Sequence, residues 1–293
     1  MSWTSIADLL TYDPSTPVAL IGAPMRAGSV TPGRCDLAPA AVRKAMQRIS
    51  TYDLVERVEI DFAVRDAGDM AVEELTPADG FDVIQNGVSS LAARHQLTIV
   101  LGGNNAITRP VAHSLGVPLG EVGLITLDAH FDMRETDQGP MNGNPVRCLL
   151  EDGLPGANIC QIGLAPFANT RKMHEDALAA GISIFDLEFV LGAGMAAAID
   201  EALEQLSHVE AILVDFDIDV IDRAQFPGAP GARPGGLPVW DFFAAARRLA
   251  EEERVRAVDL TEYDPFVDNG DLSGLTAARW VAEILAGFGR RTP

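Results

Sequence analysis

Val122-Gly123-Leu124-Ile125-Thr126-Leu127-Asp128-Ala129-His130-Phe131-Asp132 joins an apolar run to two carboxylates and an imidazole on alternate residues. The apolar part reads as a strand buried on both faces, as in a sheet covered by helices on each side. In an extended segment the side chains at i, i+2 and i+4 project to one side, so Asp128, His130 and Asp132 are expected to converge on one point. The plainer reading is a helix cap followed by a surface acid. A second segment repeats the arrangement with carboxylates alone. Ala211-Ile212-Leu213-Val214 runs into Asp215-Phe216-Asp217-Ile218-Asp219-Val220-Ile221-Asp222. Alternation places Asp217 and Asp219 together, with Asp215 further back toward the core. A calcium loop of the EF-hand type fails on spacing: counting from Asp215, Val220 stands where glycine is needed and Phe226 where glutamate is needed. The two segments together specify hard, divalent, oxygen-rich metal chemistry.

Outward from these segments, short apolar runs alternate with longer Ala- and Leu-rich stretches. Strands are expected at 18–22, 97–101, 122–127, 159–163, 183–186, 211–214 and 254–258. Helical stretches are expected at 40–46, 81–94, 177–180, 195–206, 239–252 and 273–288, with Pro39 and Thr76-Pro77 as start signals. Parallel strands joined by crossover helices give the fold class: α/β, a single-domain three-layer α/β/α with a mostly parallel sheet, spanning residues 1–293. The irregular stretch from Arg223 to Pro238, dense in Gly and Pro, is of a length that often carries function.

The composition narrows the partners. Among 293 residues, 42 acidic against 22 basic give a formal charge of −20, which argues against nucleic acid or an anionic membrane. Apolar residues at 47% are ample for a core. The start, Met1-Ser2-Trp3-Thr4-Ser5-Ile6-Ala7-Asp8, carries no leader signature, and no run reaches membrane-span length. Cys35, Cys148 and Cys160 are odd in number and lack metal or redox spacing, so reduced thiols and a cytoplasmic location are expected.

Four polar clusters follow expected strands directly. They are Gly102-Gly103-Asn104-Asn105, the Asp128 group, the Asp217 group, and Asp259-Leu260-Thr261-Glu262. Ligands in open α/β sheets bind at that carboxyl edge. Here the residues carry a resemblance. D-A-H-x-D, D-x-D-x-x-D and the late Glu262 resemble the ureohydrolase superfamily, which includes arginase, agmatinase and formiminoglutamase. Gly22-Ala23-Pro24, Pro32-Gly33 and 38–43 are similar to its early G-x-P…G…G-P-x-A-I-R segment. Asp66-Ala67-Gly68-Asp69 resembles its D-x-G-D turn, Gly235-Gly236-Leu237 its G-G-L, and Glu262-Tyr263-Asp264-Pro265 its E-x-x-P. The resemblance covers about residues 18 to 285, and Phe131-Asp132-Met133-Arg134 is closest to the formiminoglutamase branch.

That resemblance implies an arginase-like fold and a binuclear centre with two ions about 3.5 Å apart. Asp128 and Asp217 would bridge them, Asp132 would complete one site, and His130 and Asp219 the other. Metal-bound hydroxide would attack a guanidino or formimino carbon, with Asp132 or Asp217 as proton acceptor and Glu262 holding the cationic amidine. Arg134, Asn142, Asn144 and Arg147 fall in segments implied to contact substrate. Mn²⁺ is the expected ion, with Ni²⁺ or Fe²⁺ as alternatives.

The pattern breaks at two places. Asn105 stands where the family has a metal-ligating histidine, flanked by Asn104 and Ala106, and Asn142 stands where arginases have a proton-shuttling histidine. His95, His113, His174 and His208 lack ligand spacing. One divalent ion alone would leave about two uncompensated charges among four aspartates, so the number of ions, one or two, stays open. Two readings follow: a hydrolase of linear amidine C–N bonds acting on a small cationic substrate, or a degenerate subunit supporting an active paralogue. A homo-oligomer or hetero-oligomer is implied by resemblance.

Overall fold

The computed structural model describes residues 3–291; Met1 and Ser2, part of the stretch read for a leader, lie outside them. Eleven strands and nine α-helices are found among the described residues. The strands are β1 (Leu10–Thr11), β2 (Val18–Ala23), β3 (Tyr52–Asp53), β4 (Val58–Glu59), β5 (Val64–Asp69), β6 (Leu97–Gly102), β7 (Val122–Leu127), β8 (Ile159–Leu164), β9 (Ser183–Asp186), β10 (Ala211–Asp217) and β11 (Val255–Thr261). The helices are α1 (Ala38–Met46), α2 (Pro77–Ala92), α3 (Thr108–Ala112), α4 (Pro145–Asp152), α5 (Arg171–Ala180), α6 (Leu187–Ala193), α7 (Met195–Gln205), α8 (Val239–Ala250) and α9 (Leu272–Phe288).

Nine strands form one parallel sheet in the order β1-β5-β2-β6-β11-β10-β7-β8-β9, and β3 and β4 make a small antiparallel pair beside it. Alternate residues of the central strands feed two separate apolar cores. Leu20, Ile99, Ile125 and Val214 pack with α1 and α6 to α9. Ile21, Val100, Leu124 and Leu213 pack with α2 to α5. Both faces are therefore dry, which is why these strands read as unbroken apolar runs.

Local signals place the helices. The Thr76 hydroxyl caps α2 by accepting the Asp79 N–H, and Pro77 takes the first helical position, where its missing N–H costs nothing. Gly153 and Gly181 end α4 and α5 in the left-handed conformation. Two expectations are corrected. Asp66 to Asp69 belong to strand β5, not to a turn; Asp66 and Asp69 both hold Arg43, at 2.9 and 2.6 Å. The short helices α3, α4 and α6 had no periodic signal, because helices of 5 to 8 residues offer too few turns to show one. No helix among the described residues is long and apolar enough to cross a membrane.

Candidate metal centre

The four polar clusters arrive together because β6, β11, β10 and β7 are consecutive in the sheet. Their carboxyl ends form one edge, where the clusters after β6, β10 and β7 begin and where the cluster that starts inside β11 ends at Glu262. The convergence is not the strand alternation expected from the sequence. β7 ends at Leu127, and the chain then bends, with the His130 N–H donating to Asp128 Oδ1 at 2.7 Å. Asp132 lies in the left-handed region at φ +52°. β10 likewise ends at Asp217, which accepts the Asp219 N–H at 3.0 Å at the head of a one-turn 3₁₀ segment. Short polar side chains that hydrogen-bond two residues ahead reverse the chain locally. These turns, rather than extension, fold the carboxylates inward.

Two sets of ligand atoms result, each within 4.8 Å: Asp128, His130 and Asp219; and Asp128, Asp132 and Asp217. Asp128 belongs to both, whereas Asp217 joins only the second. His130 Nδ1 lies 3.1 Å from Asp219 Oδ2 and 3.4 Å from Asp128 Oδ1. Asp128 Oδ2 and Asp219 Oδ1 are buried and have no hydrogen-bond partner among the described residues. Buried orphan carboxylate oxygens are costly unless a cation or a proton meets them. Burial pushes Asp128 up to about 6 and, reinforced by neighbouring carboxylates, holds Asp132 and Asp217 well above the ordinary range. Burial alone would lower His130, but the Asp219 and Asp128 carboxylates outweigh it and raise the imidazole to about 12. A site this short of positive charge suits divalent cations held by oxygen and one imidazole.

Glu262 closes the floor at the end of β11, again with a left-handed backbone, φ +64°. Two of the five non-glycine residues in that region among the described residues are thus Asp132 and Glu262, and such strain collects at functional sites. Glu262 Oε1 accepts the Asn105 N–H at 2.8 Å and the Asn142 side-chain amide at 3.0 Å. Burial raises this carboxyl to about 7, and those two donors oppose the rise. Gly103 permits the close pass: a Cβ there would stand 2.0 Å from the Met25 carbonyl oxygen.

The asparagines that break the family's pattern are occupied. Asn105 is fully buried; its Nδ2 donates to Asp132 Oδ2 at 2.6 Å, and its Oδ1 accepts from the hydroxyls of Thr108 at 2.7 Å and Thr261 at 3.3 Å. In this arrangement Asn105 faces Asp132 as a donor. Asn104 Nδ2 donates to the carbonyls of Arg26 and Ala27 and to the Ser29 hydroxyl, and Asn142 Oδ1 accepts the Val30 N–H. Both brace the loop after β2 over the site. One row deeper, Asp215 and Asp259 lie side by side in register, fully buried, and burial raises both carboxyls.

Arg134 reaches the cavity, together with His130, Asp132, Asn142, Asp217, Asp219 and Glu262. Asn144 and Arg147 do not. Asn144 is buried and clamps its own loop, accepting the Met141 N–H and donating to the Glu135 and Gly139 carbonyls. Arg147 sits on α4 and turns to Asp176 and the Met133 carbonyl. Proline-started α4 hides both, a helix the sequence did not announce. His95, His113, His174 and His208 stand elsewhere, on Thr16, Asp152, Phe131 and Asn158.

Sequence reasoning missed Arg233, which also lines the cavity. Neither Arg134 nor Arg233 has a carboxylate within ion-pair distance among the described residues, in a chain of charge −20. The Gly- and Pro-rich stretch 223–238 was the signal. It also brings Gly231 so near that a Cβ would lie 1.9 Å from Asp219 Oδ2. Asn169 was missed as well; it accepts the Phe131 N–H and donates to the Ala129 carbonyl, pinning the Asp128 loop.

Comparison with known proteins agrees with this geometry. Formimidoylglutamase of Halalkalibacterium halodurans is 31% identical over 274 residues, covering 92% of this chain and 86% of that protein. The crystal structure of formimidoylglutamase from Bacillus subtilis superposes with a TM-score of 0.94 at 26% identity, covering 99% of this chain and 94% of that one. Formiminoglutamase of Trypanosoma cruzi with Mn²⁺ gives a TM-score of 0.90 at 22% identity, covering 99% and 100%, a likeness of fold. The arginase family model matches residues 16–287, and the chain belongs to the arginase family.

Proposed function

We propose that this chain is a metal-dependent hydrolase of a formimino or guanidino C–N bond, with a formimino substrate of the formimidoylglutamate type as the best fit. One observation carries the reading: two three-residue ligand sets share Asp128 and keep two buried oxygens, Asp128 Oδ2 and Asp219 Oδ1, without partners. Asp128, His130, Asp132, Asp217 and Asp219 would hold two divalent ions, with Asn105 as a further candidate ligand. Mn²⁺, the ion in the Trypanosoma cruzi structure, is our choice, with Ni²⁺ or Fe²⁺ compatible with the same oxygen and nitrogen donors. Such ions, when bound, lower the pKa of water by several units and so provide a nucleophile at neutral pH.

The chain's own residues supply the rest. Both protein donors to Glu262 use Oε1, so Oε2 is left for a cationic amidine in the cavity, and a cation there favours the ionised carboxylate. Asp132 and Asp217 line the same cavity and are the candidate acceptors for the proton released in the reaction. Arg134 and Arg233 line the mouth without a carboxylate partner among the described residues, Arg233 using one nitrogen on the Gly231 and Ala232 carbonyls, and both can meet substrate carboxylates, which a small diamine or guanidine without carboxylate would not need. Nothing observed favours the degenerate-subunit reading. Three buried free thiols support a reducing, cytoplasmic setting, and an oligomer is in keeping with the family.

The test is product identity. Purified chain loaded with Mn²⁺ is incubated with formimidoylglutamate and, separately, with guanidino compounds. Formamide from the former, lost in Asp128→Asn, is expected; urea as the faster product would move the assignment to the guanidino branch.

A further inference from the structure

His130 is the member of its ligand set that packing holds least. Its side chain is 26% exposed and lines the cavity, whereas those of Asp128 and Asp219 are 1% and 5% exposed. The direction of the imidazole is therefore set largely through its backbone, and that backbone is fixed at successive peptide groups. The His130 N–H donates to Asp128 Oδ1 at 2.7 Å. The groups on either side are both taken by one side chain: Asn169 Nδ2 donates to the Ala129 carbonyl at 2.9 Å, and Asn169 Oδ1 accepts the Phe131 N–H at 2.9 Å.

A carboxamide suits this task because it offers a donor and an acceptor in one plane; a carboxylate has no hydrogen for the Ala129 carbonyl. The segment that carries Asn169 is anchored at both ends. The Ala165 N–H donates to the same Ala129 carbonyl at 3.0 Å, and the Thr170 hydroxyl caps α5 by accepting the Met173 N–H. Between these anchors Phe167 lies in the left-handed region at φ +62°, with its ring fully exposed. An exposed ring cannot pin a strained backbone by packing, so the bonds at the two ends of the segment keep it there.

We propose that Asn169 is a positioning residue for His130: by clamping the peptide groups on both sides, it presets the imidazole toward Asp128 and Asp219 and sets the affinity of the ion site those three residues form. Without the clamp, the N–H of the buried Phe131 loses its partner and the ion itself must order the imidazole. The effect is selective, because the second set, Asp128, Asp132 and Asp217, does not include His130. This inference rests on the binuclear reading above.

The test is Mn²⁺ titration, followed by the paramagnetic signal of free Mn²⁺, together with the nitrogen modulation of the electron spin echo of bound Mn²⁺. It is run on wild type, Asn169→Ala and Asn169→Leu, each first checked for a wild-type circular dichroism spectrum. Leucine keeps the volume of the side chain and removes both hydrogen bonds. His130 is the one imidazole in the two ligand sets, so the nitrogen signal reports it. In both variants one of the two Mn²⁺ sites should lose about tenfold to a hundredfold in affinity and the other less than about threefold, with the nitrogen modulation per bound ion reduced. Wild-type affinity and full modulation in both variants overturn the positioning role, and so does an equal loss at both sites. Two ions bound by wild type without nitrogen modulation leave the binuclear centre standing but remove His130 from it, and this inference with it. A wild-type chain that takes up no Mn²⁺ removes the centre itself, and the inference as well.

Discussion

Asn142 links Glu262 to the loop after β2: its amide donates to Glu262 Oε1 at 3.0 Å while its own oxygen accepts the Val30 N–H at 2.8 Å. The residue that replaces a titratable histidine in the arginase pattern therefore positions rather than shuttles. It holds one carboxylate oxygen, Oε1, and leaves Oε2 without a protein donor among the described residues.

Removing that hold should cost turnover, not metal. Asn142→Ala is expected to lower kcat/KM by about tenfold to a hundredfold, and Glu262→Gln by about a thousandfold, each with wild-type Mn²⁺ content. Steady-state kinetics alongside metal analysis checks this; loss of Mn²⁺ in Glu262→Gln would instead place Glu262 among the ligands.

Arg134 and Arg233 carry the claim about substrate carboxylates. Each Ala substitution should raise KM about tenfold to a hundredfold for a carboxylated formimino substrate, with kcat within a few-fold of wild type. A formimino amidine that lacks the carboxylate should be hydrolysed equally by wild type and variants. If KM for the carboxylated substrate is unmoved, the two guanidiniums do not touch it.

Gly231 is a packing test of the Asp219 ligand position. Its backbone is outside the left-handed region, so alanine is conformationally allowed, but the new Cβ would meet Asp219 Oδ2 at 1.9 Å. Gly231→Ala should weaken Mn²⁺ uptake about tenfold or more while leaving the far-ultraviolet circular dichroism unchanged.

The metal-free chain should respond to pH in one direction. Burial raises Asp128 to about 6 and Glu262 to about 7, and raises Asp132 and Asp217 as well. From about pH 4 upward the folded state then binds more protons than the unfolded state, so stability falls as pH rises through these values. His130 has the same sign: raised to about 12, its contribution is complete below its unfolded pKa and is lost as pH rises from there toward about 12. Melting in a chelator should drop by several degrees between about pH 5 and pH 8, and saturating Mn²⁺ should restore it, most strongly at the higher pH. A chelated protein more stable at pH 8 than at pH 5 would contradict the protonation states assigned here.

Much of the architecture was legible because its signals are local. Val122 to Leu127 and Ser183 to Asp186 form strands over the residues expected, and four polar clusters at strand ends share one edge because their strands are neighbours. What was not legible depends on three-dimensional direction. The Asp128 and Asp217 groups converge through turns and a left-handed Asp132, which alternation along a strand cannot anticipate. Arg147 looked available in the sequence, and only the course of α4 turns it toward Asp176. Arg233 comes from a Gly- and Pro-rich stretch with no periodicity, so only the folded loop reveals that it faces the cavity. Asn105 read as a lost ligand; Thr108 stands three residues along, but its partners Thr261 and Asp132 come from distant parts of the chain that only the fold brings to it.

The most direct measurement strips the protein with a chelator, titrates Mn²⁺ back, and records bound Mn²⁺ and formamide release from formimidoylglutamate on the same samples. The account predicts that release is absent in the stripped protein and rises to its maximum as bound Mn²⁺ approaches two per chain. Full formamide release from chelated protein, or two bound ions with no hydrolysis of any formimino or guanidino compound, would contradict it.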